Sequence, residues 1–302
     1  MRSPLPAENG LITHHALGIQ LATIGVLVLS FDALLVRLAD ADPWNIAFWR
    51  GGLMMCSLSL VQWLTGKPEQ LRLLRRHWKA TLMLATMYGT GGTLFVLSLT
   101  HTSTANTVVI LSSSAFFAVF FSWLLLRERV LLRTWMAIIL SVVGVLVVFS
   151  GSIGLASWRG DAIALLLSLL MGLLLSLMRR YSQLPRIPIV ALSGLIMMLL
   201  VAPFSAPLSL PGDRYLWLAI MGLLQIPLAS VLIMNATRYL SSPEVSLFLL
   251  IETVFGPIWV WLVLNEQAPL MTLLGGAIIL GTIITHSVLA LRGNRGQVDG
   301  AG

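Results

Sequence analysis

Ten separated runs of apolar residues, each close to the length needed to cross a bilayer, dominate this chain. They lie at approximately 17–36, 45–64, 80–99, 105–126, 134–151, 161–178, 188–206, 216–235, 243–264 and 272–291. A helix crossing hydrocarbon needs about 20 such residues. Every backbone polar group there must be paired within the protein, and unbroken runs suit helices rather than the alternating strands of a barrel. The sequence therefore predicts an all-α integral membrane protein with ten transmembrane helices. The separators are short and rich in charges and turn formers, as in Asp40-Ala41-Asp42-Pro43, Gly66-Lys67-Pro68 and Pro211-Gly212-Asp213-Arg214. The run from Leu17 to Val36 is longer than a signal-peptide core of about 7–15 residues. It reads as the first span, behind an N-terminal tail of residues 1–16.

The charges agree with this count. Only 10% of the residues are charged and 57% are hydrophobic, against about 25% charged in a soluble domain. With the N-terminus in the cytoplasm, the inside segments hold Arg2; Lys67, Arg72, Arg75, Arg76 and Lys79; Arg127, Arg129 and Arg133; Arg179, Arg180 and Arg186; Arg238; and Arg292 and Arg295. The outside loops hold only Arg37, Arg159 and Arg214, and Arg50 remains within the second run. This is the bias of positive-inside insertion. A missed helix would reverse the sign of every later loop. The same bias explains the net charge of +7 with no nucleic acid as partner. The expected setting is the cell (cytoplasmic or inner) membrane, with both termini cytoplasmic and residues 292–302 as the C-terminal tail.

The chain also repeats itself. An offset of 138 residues pairs Glu128 with Glu266, Phe117 with Phe255, Trp123 with Trp261 and Thr134 with Thr272. An offset of 142 pairs Gly18 with Gly160, Ala22 with Ala164 and Arg37 with Arg179. The repeats are expected at 17–151 and 161–291. Each holds five runs, and five is odd, so the second half enters the membrane from the opposite side. Such inverted repeats are the arrangement of many secondary transporters. The halves can exchange conformations and so expose a site first to one side and then to the other.

In these runs, repeats and paired helix tails the chain resembles the drug/metabolite transporter superfamily, specifically its EamA-type carriers, over about residues 17–291. The carriers of the resemblance are Trp123 through Glu128-Arg129, Ile251-Glu252 through Trp261 and Glu266, Gly160-Asp161, and Arg50. Arg127 and Asn265 stand where the family often has Gly before the repeat-end Glu. Thr253 follows Glu252 where the family often has Pro. Ser114 and Ala115 replace the corresponding pair in the first half. The resemblance implies transport of amino acids, metabolites, drugs or sugars, and little about which.

Ionisable groups inside a span need a partner, a wet cavity or cargo. Asp32 shares a stripe with Gly18, Ala22, Gly25 and Leu29, whose small residues allow close packing and aim it into the bundle. It reads as a protonatable site or as half of an ion pair with Arg37 or Arg50. Glu252 sits near mid-bilayer, with Phe255, Gly256 and Trp259 on the same helix side. It reads as an anchor for a cationic or amphipathic solute, or as a hydrogen-bonding partner of Ser112 to Ser114. Arg50, beside Gly51 and Gly52, reads as a carboxylate receptor or as the partner of Asp32. The candidate substrate-binding set is Glu252, Asp32, Arg50, Phe255, Trp259 and Tyr88, with Gln225, Asn235 and His286 as weaker candidates. Glu128 and Glu266 read as loop-fixing groups at opposite faces.

Other classes fit less well. No H-E-x-x-H helix, G-x-S-x-G elbow or nucleotide-binding glycine loop is present, and the single Cys56 makes neither a disulfide nor a zinc site. No catalytic residues, cofactor or metal are expected. The alternatives are an intramembrane enzyme and a non-transporting membrane assembly protein. The expected partners are the lipid bilayer, a small-molecule solute and, in a homodimer, a second copy.

Overall fold

A computed structural model describes residues 6–65, 68–126, 132–151, 157–181, 183–236, 239 and 242–298. Glu128 and the side chain of His286 lie outside the described set. Among the described residues the chain is helical, with no strand. The elements are α1 (Pro6–Leu29), α2 (Asp32–Ala39), α3 (Pro43–Thr65), α4 (Pro68–Arg76), α5 (Trp78–His101), α6 (Thr104–Ser112) and α7 (Ser114–Leu126). They continue with α8 (Leu132–Ser150), α9 (Trp158–Arg180), α10 (Arg186–Val201), α11 (Gly212–Ala219), a π-helical segment (Ile220–Gln225), α12 (Ile226–Ala236), α13 (Ser242–Leu264) and α14 (Leu270–Val298).

Among the described residues six stretches are long and apolar enough to cross a membrane: Ala16–Ala39, Trp78–His101, Thr104–Leu125, Trp158–Met178, Arg186–Phe204 and Gly212–Ile233. Trp135–Ser150, Ile251–Leu264 and Leu270–Thr285 are shorter apolar helices. The α3 helix is as long as the spans but carries Asn45, Arg50 and Gln62. Leu60, Trp63, Leu132, Ile139, Leu146 and Leu262 are exposed. An outer surface of this kind suits lipid tails rather than water.

Three expected spans are interrupted. The first breaks at Ser30-Phe31, between α1 and α2. The fourth breaks at Ser113, between α6 and α7. The eighth passes through the π-helical segment at Ile220–Gln225. Interruptions of this kind free backbone polar groups, which membrane proteins tolerate where neighbours re-satisfy them. By contrast α5 runs unbroken through Gly89, Gly91 and Gly92. The 67–79 connection contains a short helix, α4, absent from the sequence expectation.

The main helix pairs each join the first half of the chain to the second: α3 with α10, α5 with α9 and α10, α7 with α9, α1 with α12, and α8 with α14. Glycine makes the closest of these approaches possible. A Cβ on Gly51 would lie 2.6 Å from the Gly194 carbonyl oxygen and 2.9 Å from the Met198 nitrogen, and one on Gly194 would lie 2.6 Å from the Gly51 oxygen. A Cβ on Gly275 would lie 2.5 Å from the Gly144 oxygen. Backbones in direct contact gain dispersion energy, which drives helix association in lipid.

Candidate solute-binding site

The break between α1 and α2 organises a polar centre inside this apolar bundle. Ser30 turns its Oγ back onto the Leu27 carbonyl at 2.7 Å. The carbonyls of Val28 and Leu29, at the end of α1, both accept from Gln225 Nε2, at 3.1 and 3.3 Å, and that of Val28 also accepts from the Phe31 N–H at 3.4 Å. Gln225 ends the π-helical segment, so an irregular turn in one half of the chain caps a broken helix in the other. The break also makes Asp32 the first residue of α2. A carboxylate at that position is favoured by the helix dipole.

Asp32 and Arg50 form a bidentate ion pair. Arg50 Nη1 donates to Oδ1 and Nη2 to Oδ2, both at 2.8 Å. Asp32 is 3% exposed and Arg50 9%. The guanidinium also lies 5.4 Å from the centre of the Phe95 ring and 3.8 Å from the Met221 sulfur. A charge this deep is stable only when paired and hydrogen-bonded. Of the two partners the sequence offered Asp32, the structure chooses Arg50.

Arg37 is engaged elsewhere. Its guanidinium reaches Glu266 at 3.2 and 3.3 Å and donates to the Thr102 carbonyl at 2.7 Å and to Thr104 Oγ1 at 3.3 Å. Glu266 also accepts from the Thr104 backbone N–H at 2.7 Å, at the start of α6. The chain reaches back there because Asn265 adopts φ 55°, the left-handed region that favours Gly or Asn. This explains physically why Asn can stand where a Gly is common. Thr102 also donates to Asp161 at 2.6 Å. Asn106 donates to both Asp161 oxygens, at 3.0 and 3.1 Å, and its own oxygen accepts from Thr272. Glu266, Arg37 and Asp161 therefore lock α2, the α5–α6 corner, α9 and α14 together at one end of the bundle.

Glu252 differs from all of these. Among the described residues no donor lies within hydrogen-bonding distance of its carboxyl. Ser112 and Ser113 are turned onto carbonyls of their own helix, at Val109 and Ile110, so they do not hold it. Its charge acts on Asp32 and Arg50, and Tyr88 interacts electrostatically with all three. One and two turns further along α13, Phe255 and Trp259 lie 5.7 Å apart, and Trp259 stacks on Phe31 at 4.8 Å and 11°. The Trp259 indole N–H donates to Ser30 Oγ at 2.9 Å. Glu252, Asp32, Arg50, Tyr88, Phe255 and Trp259 thus converge around the helix break. Asn235 does not join them; it bonds its own helix at Val231.

The sequence reading undervalued Gln225 and missed Phe31 and Ser30. A polar amide inside the 216–235 run and a Ser-Phe-Asp triplet late in the first run were the available signals.

Two stretches, residues 16–150 and 158–287, each match the EamA-like transporter family. The chain belongs to that family. Its members are membrane transporters rather than enzymes, and the chain is accordingly a multi-pass membrane protein built on a doubled EamA unit. No curated protein matches it. Fifteen solved chains do. One, described only as a crystal structure of a protein, has TM-score 0.62 at 16% identity and covers 93% of this chain and 98% of its own length. That likeness establishes a shared fold.

Proposed function

We propose that this EamA-family protein is a secondary transporter that moves a small metabolite, amino acid or drug-like solute by alternating access, as an exporter or exchanger. The observation that carries the reading is the polar centre at the α1–α2 break, where a buried ion pair and a carboxyl with no donor among the described residues meet between helices of both halves. The proposed architecture is ten spans in two inverted repeats, 17–151 and 161–291, with both termini cytoplasmic in the cell membrane.

In that frame the Arg37–Glu266 pair lies at the outer end, together with the Asp40–Arg214 pair at 2.9 Å. The described conformation is then the one sealed outside. Reversal breaks these contacts and carries the centre to the other side. Glu252 is the group whose partner changes, holding a proton or the cargo. The ionisable groups that act on it are Asp32 from α2, Arg50 from α3 and Tyr88 from α5; α6, packed against the same helix, contributes none.

The test is two-sided labelling. In a Cys56→Ser background, Phe31→Cys is treated with a membrane-impermeant thiol reagent from each side of sealed vesicles. Labelling from both sides supports alternating access. Labelling from one side only, under all gradients, contradicts it.

A further inference from the structure

We infer that the centre is built for a solute carrying a positive charge next to an aromatic or other flat apolar group. The inference rests on the transport reading above and adds the class of cargo. Its first support is the distribution of charge. Arg50 is the cation of the centre, and the Asp32 carboxylate already balances its charge through one N–H of each terminal nitrogen. A cargo carboxylate would add a second negative charge beside a pair that is already neutral, in a site where like charges disfavour one another. Glu252, in contrast, has no donor among the described residues. Asp32, Arg50 and ionised Glu252 together hold one negative charge in excess.

The second support is an orphaned acceptor. Gln225 is 4% exposed, and its Oε1 is buried with no hydrogen-bond partner. Flipping the amide gives no relief, because the oxygen would then face the Val28 and Leu29 carbonyls that Nε2 now serves. A buried acceptor of this kind calls for a donor. An ammonium brings donors, and an anion brings none.

The third support is the aromatic wall. Phe31 and Trp259 are stacked, and Phe255 leans on the same indole. The Trp259 N–H is already spent on Ser30, so this residue offers a ring surface rather than a donor. Indole faces attract cations. Rings one and two turns from a carboxyl on the same helix side give the cargo a charged anchor and an apolar rest.

The full-length protein in detergent micelles is titrated with benzylammonium, which carries three N–H donors, its uncharged isostere ethylbenzene, and phenylacetate, by calorimetry and Trp fluorescence. The cation is expected to bind at least about tenfold more tightly than the isostere, and Glu252→Gln is expected to abolish that preference while sparing isostere binding. Circular dichroism and gel filtration establish that the variant is folded. Equal binding of cation and isostere, or no cation binding at millimolar concentration, overturns the proposed class. A preference for phenylacetate that is lost in Arg50→Met also overturns the class but leaves the site in place. Equal cation affinity in wild type and folded Glu252→Gln overturns the site itself.

Discussion

The Asp32–Arg50 pair offers a separation of structural from functional roles. Both groups are nearly inaccessible and are joined by two 2.8 Å bonds. Asp32→Leu would leave the guanidinium with only the Phe95 ring and the Met221 sulfur as near neighbours. Removing one member of a buried pair costs about 3–5 kcal/mol, in line with the roughly 2.5–3.5 kcal/mol insertion cost of a charge at mid-membrane. Replacing both with apolar side chains of similar size is often close to neutral. Asp32→Leu/Arg50→Met should therefore be more stable than either single variant, with a coupling energy of about 3 kcal/mol or more. Reversible unfolding in mixed micelles measures this as a double-mutant cycle. The double variant should fold yet fail to transport. If its loss equals the sum of the two single losses, the charges do not depend on each other and the reasoning is wrong.

Three further outcomes follow from the same structure. Gly51→Leu would drive a side chain into the backbone of α10 at Gly194 and Met198, costing about 1–3 kcal/mol or more, whereas Gly281→Ala, with nothing within 4 Å, should leave the melting temperature almost unchanged. Glu266→Gln removes the Arg37 ion pair, whose members are each 25% exposed, worth about 1 kcal/mol at such a site; labelling of Phe31→Cys from the outer side should rise about fivefold, and an unchanged rate would mean the pair is not a seal. Reporter fusions after residues 155 and 210 should read outside and those after 75 and 183 inside; a reversal at 183 and 210 alone would exclude the inverted repeat.

The helical membrane character of the chain was legible because lipid allows few alternatives: long apolar runs must become helices, and charges must collect at their ends. Asp32, Arg50 and Glu252 were legible for the same reason, since ionisable groups are costly within a span. Their pairing was not. A stripe on one helix orients Asp32 inward, but the choice of Arg50 over Arg37 depends on where α1 breaks and on Arg37 being drawn to Glu266 and Thr102. The break itself is hidden because Ser30 and Phe31 are compatible with a continuous helix. The distant Gln225, donating to the Val28 and Leu29 carbonyls, helps make the interruption tolerable. Long-range compensation of this kind leaves no local periodicity. The left-handed turn at Asn265 was partly visible, as an Asn in a position where Gly is common.

The most direct measurement is solute flux through the purified protein in vesicles of varied pH, comparing wild type with Glu252→Gln and Asp32→Asn, using benzylammonium as the tracer and protein-free vesicles as the blank. Glu252→Gln is expected to insert normally, lose most of its flux and no longer respond to a pH gradient, while Asp32→Asn is expected to lose flux because the charge that balances Arg50 is gone. If both variants insert normally and keep wild-type flux and pH dependence, the carboxylates are structural and the centre at the α1–α2 break is not the transport site.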